Sequence, residues 1–105
     1  MNMATITFCY KTDVPFNEEY YRDKHLAWCN EVLKPLGMQR YEVKKFYQAL
    51  DGSKPPYQVT TTLYFESSEA LQAVLASEAS QEGLKDVVNF YEGFPDMFVG
   101  EVVYQ

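Results

Sequence analysis

Hydrophobic and polar residues alternate along four stretches of the chain, a pattern typical of β-strands. In "ATITFCY", residues 4–10, the large side chains of Ile6, Phe8 and Tyr10 are separated by Thr and Cys. This period of two, with its β-branched residues, predicts a strand. Similar patterns predict strands over residues 38–50, 57–66 and 97–104. The turn sequence "DGSKPP" separates the second strand from the third, so these two are expected to form a hairpin.

Two of these strands are predicted to have one apolar face and one less apolar face. In the second strand the apolar face consists of Tyr41, Val43 and Tyr47. In the third strand one face consists of Tyr57, Val59, Leu63 and Phe65, and the opposite face of Thr60, Thr62 and Tyr64.

Helical spacing is found in the two segments between these strands. Asn17 is a suitable N-cap for a helix that runs to about Lys34, where Pro35 and Gly37 end it. A second helix begins near Ser67 and Ser68. Its apolar positions are Leu71, Val74 and Leu75, and a further helical piece has Leu84, Val87, Val88 and Tyr91 on one face.

The predicted element order is β-α-β-β-α-β, the ferredoxin-like plan of the α+β class, over a single domain spanning residues 1–105. Two helices would cover one face of a four-stranded antiparallel sheet. The other face would contain few charges, since its contributors are Thr5, Thr7, Cys9, Thr60, Thr62 and Tyr64. Such a face either pairs with the same face of a second copy or lines a cavity, so we expect a homodimer formed through the sheet.

Composition excludes several classes of function. The 105 residues carry a net charge of −6 and contain no basic stripe, so neither nucleic acid nor an anionic membrane is an expected partner. No signal-like segment or membrane-length apolar run is present, which favours a cytoplasmic protein. Cys9, Cys29 and one histidine have no metal-ligand spacing, so we expect no metal. Without a phosphate-binding loop either, cofactor-free chemistry or simple binding remains.

His25 is the only histidine of the chain and lies in "YYRDKHLA" on the first predicted helix. Helical spacing puts Tyr21, His25, Trp28 and Val32 on one stripe, beside a second stripe of Leu26, Cys29 and Leu33. His25 therefore faces the sheet. It is either a buried histidine satisfied by a hydroxyl or a carbonyl, or an acid/base at the mouth of a cavity between helix and sheet.

A general base needs an orienting partner, for which Tyr10, Tyr21 and Asp86 are candidates. Tyr10 ends the strand that leads into this helix, which makes it a geometrically simple choice. Asp86 is a weaker candidate, because a polar residue in the acidic second half of the chain is more often simply solvated. Trp28 either packs in the core or lines an aromatic pocket.

Three segments resemble the EthD family of the dimeric α+β barrel superfamily, in the same order along the chain. They are "YYRDKHLAW", "PPYQVTTTLYFESSEALQAVL" and "DVVNFYEGFPDMFVGEVV". The resemblance implies a ferredoxin-like fold, a homodimer with two sheets packed face to face, and a small-molecule cavity between sheet and helices. The superfamily includes cofactor-free monooxygenases, isomerases, cyclases and haem-degrading enzymes, and the fold alone does not choose among them.

Residue by residue, His25 matches the family's helix histidine and Tyr21 the tyrosine four positions earlier. Asp86, Asn89 and Phe90 match its Asp-x-x-Asn-aromatic segment. The family's Met/Ile-Pro-Leu after the histidine is replaced by Leu26, Ala27 and Trp28, and the indole is expected to narrow or reshape a pocket.

Two functional hypotheses follow. In the first, the chain is a cofactor-free enzyme of the oxidoreductase, isomerase or cyclase type, acting on a small apolar or aromatic oxygen-bearing compound with His25 as acid/base. The substrate would be held by Tyr10, Tyr21, Trp28, Asp86, Asn89 and Phe90. In the second, it is a non-catalytic dimeric binding or accessory protein. A haem-degrading role has no supporting pattern around His25.

Overall fold

The computed structural model describes residues 2–105. Four strands form one antiparallel sheet in the order β2-β3-β1-β4. Their bounds are Ala4–Lys11 for β1, Met38–Lys45 for β2, Tyr57–Phe65 for β3 and Asp96–Glu101 for β4. This is the predicted ferredoxin-like α+β architecture, and the predicted hairpin joins β2 to β3.

The first helical segment changes geometry along its length. A short α-helical turn, α1 (Glu18–Tyr20), leads into a π-helical turn, Tyr21–His25, and then into α2 (Leu26–Leu33). The Asn17 side chain accepts a hydrogen bond from the Tyr20 amide at 3.0 Å, which confirms the predicted N-cap. The Leu26 amide donates to the Tyr21 carbonyl, five residues back, which defines the wider π-helical turn.

The second helical segment contains α3 (Ser68–Leu75) and α4 (Glu78–Asp86), followed by a single 3₁₀ turn, Val87–Asn89. Ser67 caps α3 by accepting a hydrogen bond from the Ala70 amide at 3.1 Å. No helix within residues 2–105 is long and apolar enough to cross a membrane.

The core lies between the sheet and the helices and has two parts. One packs aliphatic side chains of β1, β3 and α3 around Phe65 and Leu71, which are 0% and 1% exposed. The other is aromatic and centres on Tyr10, whose ring meets four neighbouring rings edge to face at centroid distances of 5.0–5.7 Å. These neighbours are Phe16, Tyr21, Phe90 and Tyr91.

On the sheet face turned away from the helices, called the outer face below, the central strands β1 and β3 contribute uncharged side chains, whereas the edge strands add four charged residues. These are Arg40, Glu42, Lys44 and Asp96. Register aligns Thr7 with Thr62 on one side and with Phe98 on the other, and the Thr7 and Thr62 hydroxyls are 3.0 Å apart. The uncharged side chains of this face are Thr5, Thr7, Cys9, Thr60, Thr62, Tyr64 and Phe98.

Three predicted positions differ from the structure. Tyr47 lies beyond the end of β2 and is 92% exposed, because β3 begins at Tyr57 and offers residues after 46 no further partner. Val88 is 78% exposed rather than on the helix face, because the 3₁₀ turn instead brings Val87 and Phe90, three residues apart, to the core. The last strand ends at Glu101 rather than residue 104.

Tyr57 also differs from its predicted place beside Val59. The register of β1 and β3 shifts between Tyr10 and Lys11, so that Lys11 pairs with Tyr57. Such an irregularity reverses the side-chain alternation of a strand. The Tyr57 hydroxyl accordingly donates to Asp96 at 2.8 Å. Asp96 lies on β4, on the far side of β1 from Tyr57.

We expect Ser67→Ala to lower the free energy of unfolding by about 1 kcal/mol, because the Ala70 amide loses its acceptor. Ser67→Asp is the matched control, since a carboxylate also caps a helix N-terminus and is expected to leave stability nearly unchanged. Urea denaturation followed by circular dichroism measures both. Equal losses in the two variants would show that the cap is not the cause.

Candidate active site

A cavity of about 80 Å³ lies between the sheet and the helices. Its walls are mostly aliphatic and aromatic side chains from β1, β3 and the helices. Polar side chains interrupt this surface in two places. Tyr10, His25 and Thr61 gather around Tyr21 of the first helical segment, and Ser80 lies on α4. Met97 also lines the cavity and is 37% exposed, so the wall formed by β4 reaches the protein surface. An apolar space with few polar groups is the usual form of a small-molecule site.

His25 is buried, with 8% of its surface exposed, and is paired with Asp86. The distance from Nδ1 of His25 to Oδ2 of Asp86 is 2.8 Å. The π-helical turn carries the histidine and the C-terminus of α4 carries the carboxylate, so two helical segments distant in sequence meet at this bond. Asp86, and not Tyr10, is therefore the side chain that orients the imidazole.

The Asp86 carboxylate receives three hydrogen bonds. Besides His25, the Tyr20 hydroxyl donates to Oδ1 at 2.6 Å and Asn89 Nδ2 donates to the same oxygen at 2.9 Å. Burial alone raises the pKa of this carboxyl, but the donors of Tyr20, Asn89 and His25 outweigh it and bring the pKa below its ordinary value. Asp86 is consequently ionised near neutral pH.

Burial lowers the pKa of His25, and the hydrogen bond and charge of Asp86 oppose this effect only in part. The imidazole is therefore neutral at pH 7. Since an ionised carboxylate can only accept, Nδ1 carries the ring proton and Nε2 holds the free electron pair. Nε2 makes no hydrogen bond among residues 2–105. Every buried side-chain nitrogen or oxygen in this range has a hydrogen-bond partner. Because Nε2 has none, it must be partly accessible.

Two rings fix the plane of the imidazole. Tyr21 stacks on His25 with centroids 5.4 Å apart and planes 16° apart, and Phe90 packs against it at 4.7 Å. The π-helical turn explains this arrangement, because it brings Tyr21 and His25 together on the buried side of the helix. An imidazole held by rings and by a carboxylate has little rotational freedom, which suits proton transfer to a bound molecule.

The hydroxyls of Tyr10 and Tyr21 remain protonated in the physiological range. Tyr21 and Thr61 hydrogen-bond to each other through their side-chain oxygens. Burial raises the pKa of the Tyr21 phenol well above its ordinary value, and burial does the same for Tyr10. These groups can therefore donate to an oxygen atom of a bound molecule. Cys29 also lines the cavity, but burial and the charge of Asp86 raise its thiol pKa to about 12, so it is not a nucleophile at neutral pH.

The predicted site residues separate into two groups. His25, Tyr10, Tyr21 and Trp28 line the cavity. Asp86, Asn89 and Phe90 do not line it. Asp86 bonds to His25 and Phe90 packs on His25 and Tyr21, whereas Asn89 is connected to the histidine only through Asp86. Their position favours support of the histidine over direct contact with a substrate.

Sequence analysis missed Tyr20 and Thr61. Tyr20 precedes the inward-facing Tyr21 and lies outside the predicted stripe, and its hydroxyl donates to Asp86. Thr61 is the polar member of an otherwise apolar row on β3, and period-two spacing alone would have put it on the cavity side. Within the described chain no group of three His, Cys, Asp or Glu residues is arranged to hold a metal ion.

The chain belongs to the EthD family. The model of the EthD domain matches residues 12–93, which include the His25–Asp86 pair. No curated protein matches the chain significantly.

Several solved structures share the fold. An EthD-like protein from Ralstonia eutropha JMP134 is 24% identical, with a TM-score of 0.81 over 100% of this chain and 96% of that one. An ethyl tert-butyl ether D (EthD) family protein from Bacillus halodurans C-125 is 16% identical, with a TM-score of 0.76 over 98% and 100% of the chains. A cofactor-independent oxygenase from Streptomyces nogalater is 8% identical, with a TM-score of 0.72 over 100% and 97%. At these identities the likeness shows the fold.

We expect Asp86→Asn to lower the pKa of His25 further, because the variant removes the negative charge that opposes the effect of burial. NMR titration of the single imidazole measures this pKa directly. The control is Asp23→Asn, since Asp23 is exposed and paired only with Arg22. A His25 pKa that is the same in Asp86→Asn and in the wild type would contradict the assigned pair.

Proposed function

We propose that this chain is a cofactor-free enzyme that moves a proton to or from a small apolar, oxygen-bearing compound, as the chemistry of oxidoreductases, isomerases and cyclases of this kind requires. His25 acts as the acid/base. The observation that supports the proposal most is the His25–Asp86 pair at the wall of an otherwise apolar cavity. The bond to Asp86 fixes the tautomer of His25 and leaves Nε2 unbonded, which is the arrangement that an acid/base requires.

The proposed proton transfer uses groups already in position. Nε2 of neutral His25 takes a proton from a carbon next to a carbonyl. The electron pair of that C–H bond forms a C=C bond, and the π pair of the carbonyl moves to its oxygen. The resulting oxyanion accepts a hydrogen bond from the Tyr21 hydroxyl, which the high pKa of the phenol keeps protonated. Asp86 stabilises the imidazolium formed at His25. The proton then returns to carbon or oxygen, which completes an isomerisation or prepares a ring closure.

The aliphatic remainder of the cavity supports an apolar substrate. Water competes poorly in such a space, so the few hydrogen bonds around Tyr21 act in a medium of low dielectric constant. The fold is also shared with an oxygenase described as cofactor-independent, which agrees with chemistry carried out by side chains alone.

We expect 2-butanone in D₂O to exchange its α-protons in the presence of the protein, and His25→Gln to reduce the exchange rate at least about 100-fold. Because the pKa of His25 lies below its ordinary value, the rate should stay level around neutral pH and fall only below about pH 6.5. Proton NMR of the ketone measures the rate. Tyr47→Phe is the control, since Tyr47 is 92% exposed.

The same experiment separates the enzyme from the alternative binding protein. A ketone that binds in the cavity without His25-dependent exchange would contradict proton transfer and favour a non-catalytic binding or accessory role. Binding is detected through chemical-shift changes at the single imidazole.

We also infer that two copies associate through the outer face of the sheet. This face is uncharged along its centre, and Phe98 in its edge strand is 58% exposed. Exposed apolar side chains in a row of small hydroxyls suit a symmetric contact, since the same surface serves both copies.

We expect Phe98→Arg to convert a dimer into a monomer, because each copy would bring an unpaired charge into the contact. Gln72→Arg adds the same charge on the exposed side of α3 and should leave the dimer intact. Light scattering after size-exclusion chromatography measures the mass. A wild-type monomer at about 100 μM, or a dimer of the Phe98→Arg variant, would exclude this interface.

A further inference from the structure

Gly83 lies inside α4, three residues before its end, where a glycine is unfavourable. Glycine is less favourable than alanine in a helix interior, because it loses more conformational freedom on folding. Its backbone does not need glycine, since only Gly37 and Gly52 among the described glycines have positive φ. The reason for a glycine at this position must therefore be space.

Trp28 fills that space. A Cβ at position 83 would lie 3.1 Å from Cζ3 and 3.3 Å from Cη2 of the indole, closer than side chains normally approach. The six-membered ring of Trp28 therefore rests directly on the backbone of α4. Trp28 belongs to α2, so the missing side chain lets the two helices close around the ring.

Both residues line the cavity, and the indole stands next to the acid/base. The centroids of the Trp28 and His25 rings are 6.2 Å apart. The indole forms the cavity wall beside His25. If the indole shifted away from α4, this wall would move. The cavity volume of about 80 Å³ is small. Apolar cavities that bind benzene have about 150 Å³.

We infer that Gly83 is a positioning residue that seats Trp28, and that the seated indole limits the substrate to molecules smaller than one aromatic ring. The inference rests on the proposed function, because it concerns the same cavity. It narrows the substrate class to short-chain or otherwise compact oxygen-bearing compounds. The wall formed by Trp28, and not the polar groups around Tyr21, sets this limit.

Xenon and benzene test the limit without depending on the chemistry of His25. The wild type is expected to bind xenon but not benzene, whereas Trp28→Leu replaces the indole by a smaller group and should bind both. Xenon-129 NMR and saturation-transfer NMR of benzene measure binding in every variant. Lys85→Ala, on the exposed side of α4, is the control and should behave as the wild type.

Gly83→Ala tests the seating of the ring. In the wild type the added methyl group must displace the indole, so xenon affinity should fall at least threefold and the melting temperature should not rise. In the Trp28→Leu background the methyl group meets open space, so the same change should leave xenon affinity unchanged. It should also raise the melting temperature by about 4 °C, since alanine is the better helix former.

Three results would overturn the inference. They are benzene binding to the wild type, failure of the wild type to bind xenon, and an effect of Gly83→Ala on xenon binding that is the same with and without Trp28. None of them depends on ketone exchange. A loss of exchange with these xenon and benzene results intact would contradict acid/base catalysis alone.

Discussion

The carboxylate of Asp86 is the group on which the rest of the site depends. It takes donors from Tyr20 and His25 on the first helical segment and from Asn89 just after α4. A partly buried charge is costly unless it is compensated by such donors. The three bonds therefore fix how the two helical segments meet, and in doing so they fix the imidazole at the cavity wall. The same hydrogen bonds therefore contribute to the stability of the fold and to the proposed chemistry.

The two carboxylate oxygens of Asp86 have different partners. Oδ1 is occupied by Tyr20 and Asn89, which leaves Oδ2 for His25 alone. The imidazole is thereby held in one tautomer with Nε2 free, while burial keeps it neutral. This geometry supplies the oriented imidazole that the proposed proton transfer requires.

Sequence patterns predicted the fold well because strands and helices of a small domain must bury one face each. The period-two rows of β1 and β3 and the caps at Asn17 and Ser67 are local signals, and all are present in the structure. The differences arose where an element depends on a distant partner. Tyr47 has no strand beside it, and Tyr57 follows a register shift that no local pattern contains.

In the site, too, the local features could be predicted from the sequence, whereas the contacts between distant residues could not. The sequence by itself determined that His25 faces inward near Tyr21 and Trp28, because helical spacing is a local property of the chain. Only the tertiary structure decided that Asp86 orients His25, that Tyr20 supports Asp86, and that Gly83 makes room for Trp28. These contacts join residues more than fifty positions apart. They follow from the way the helices pack against one sheet, and no spacing along the chain reports that packing.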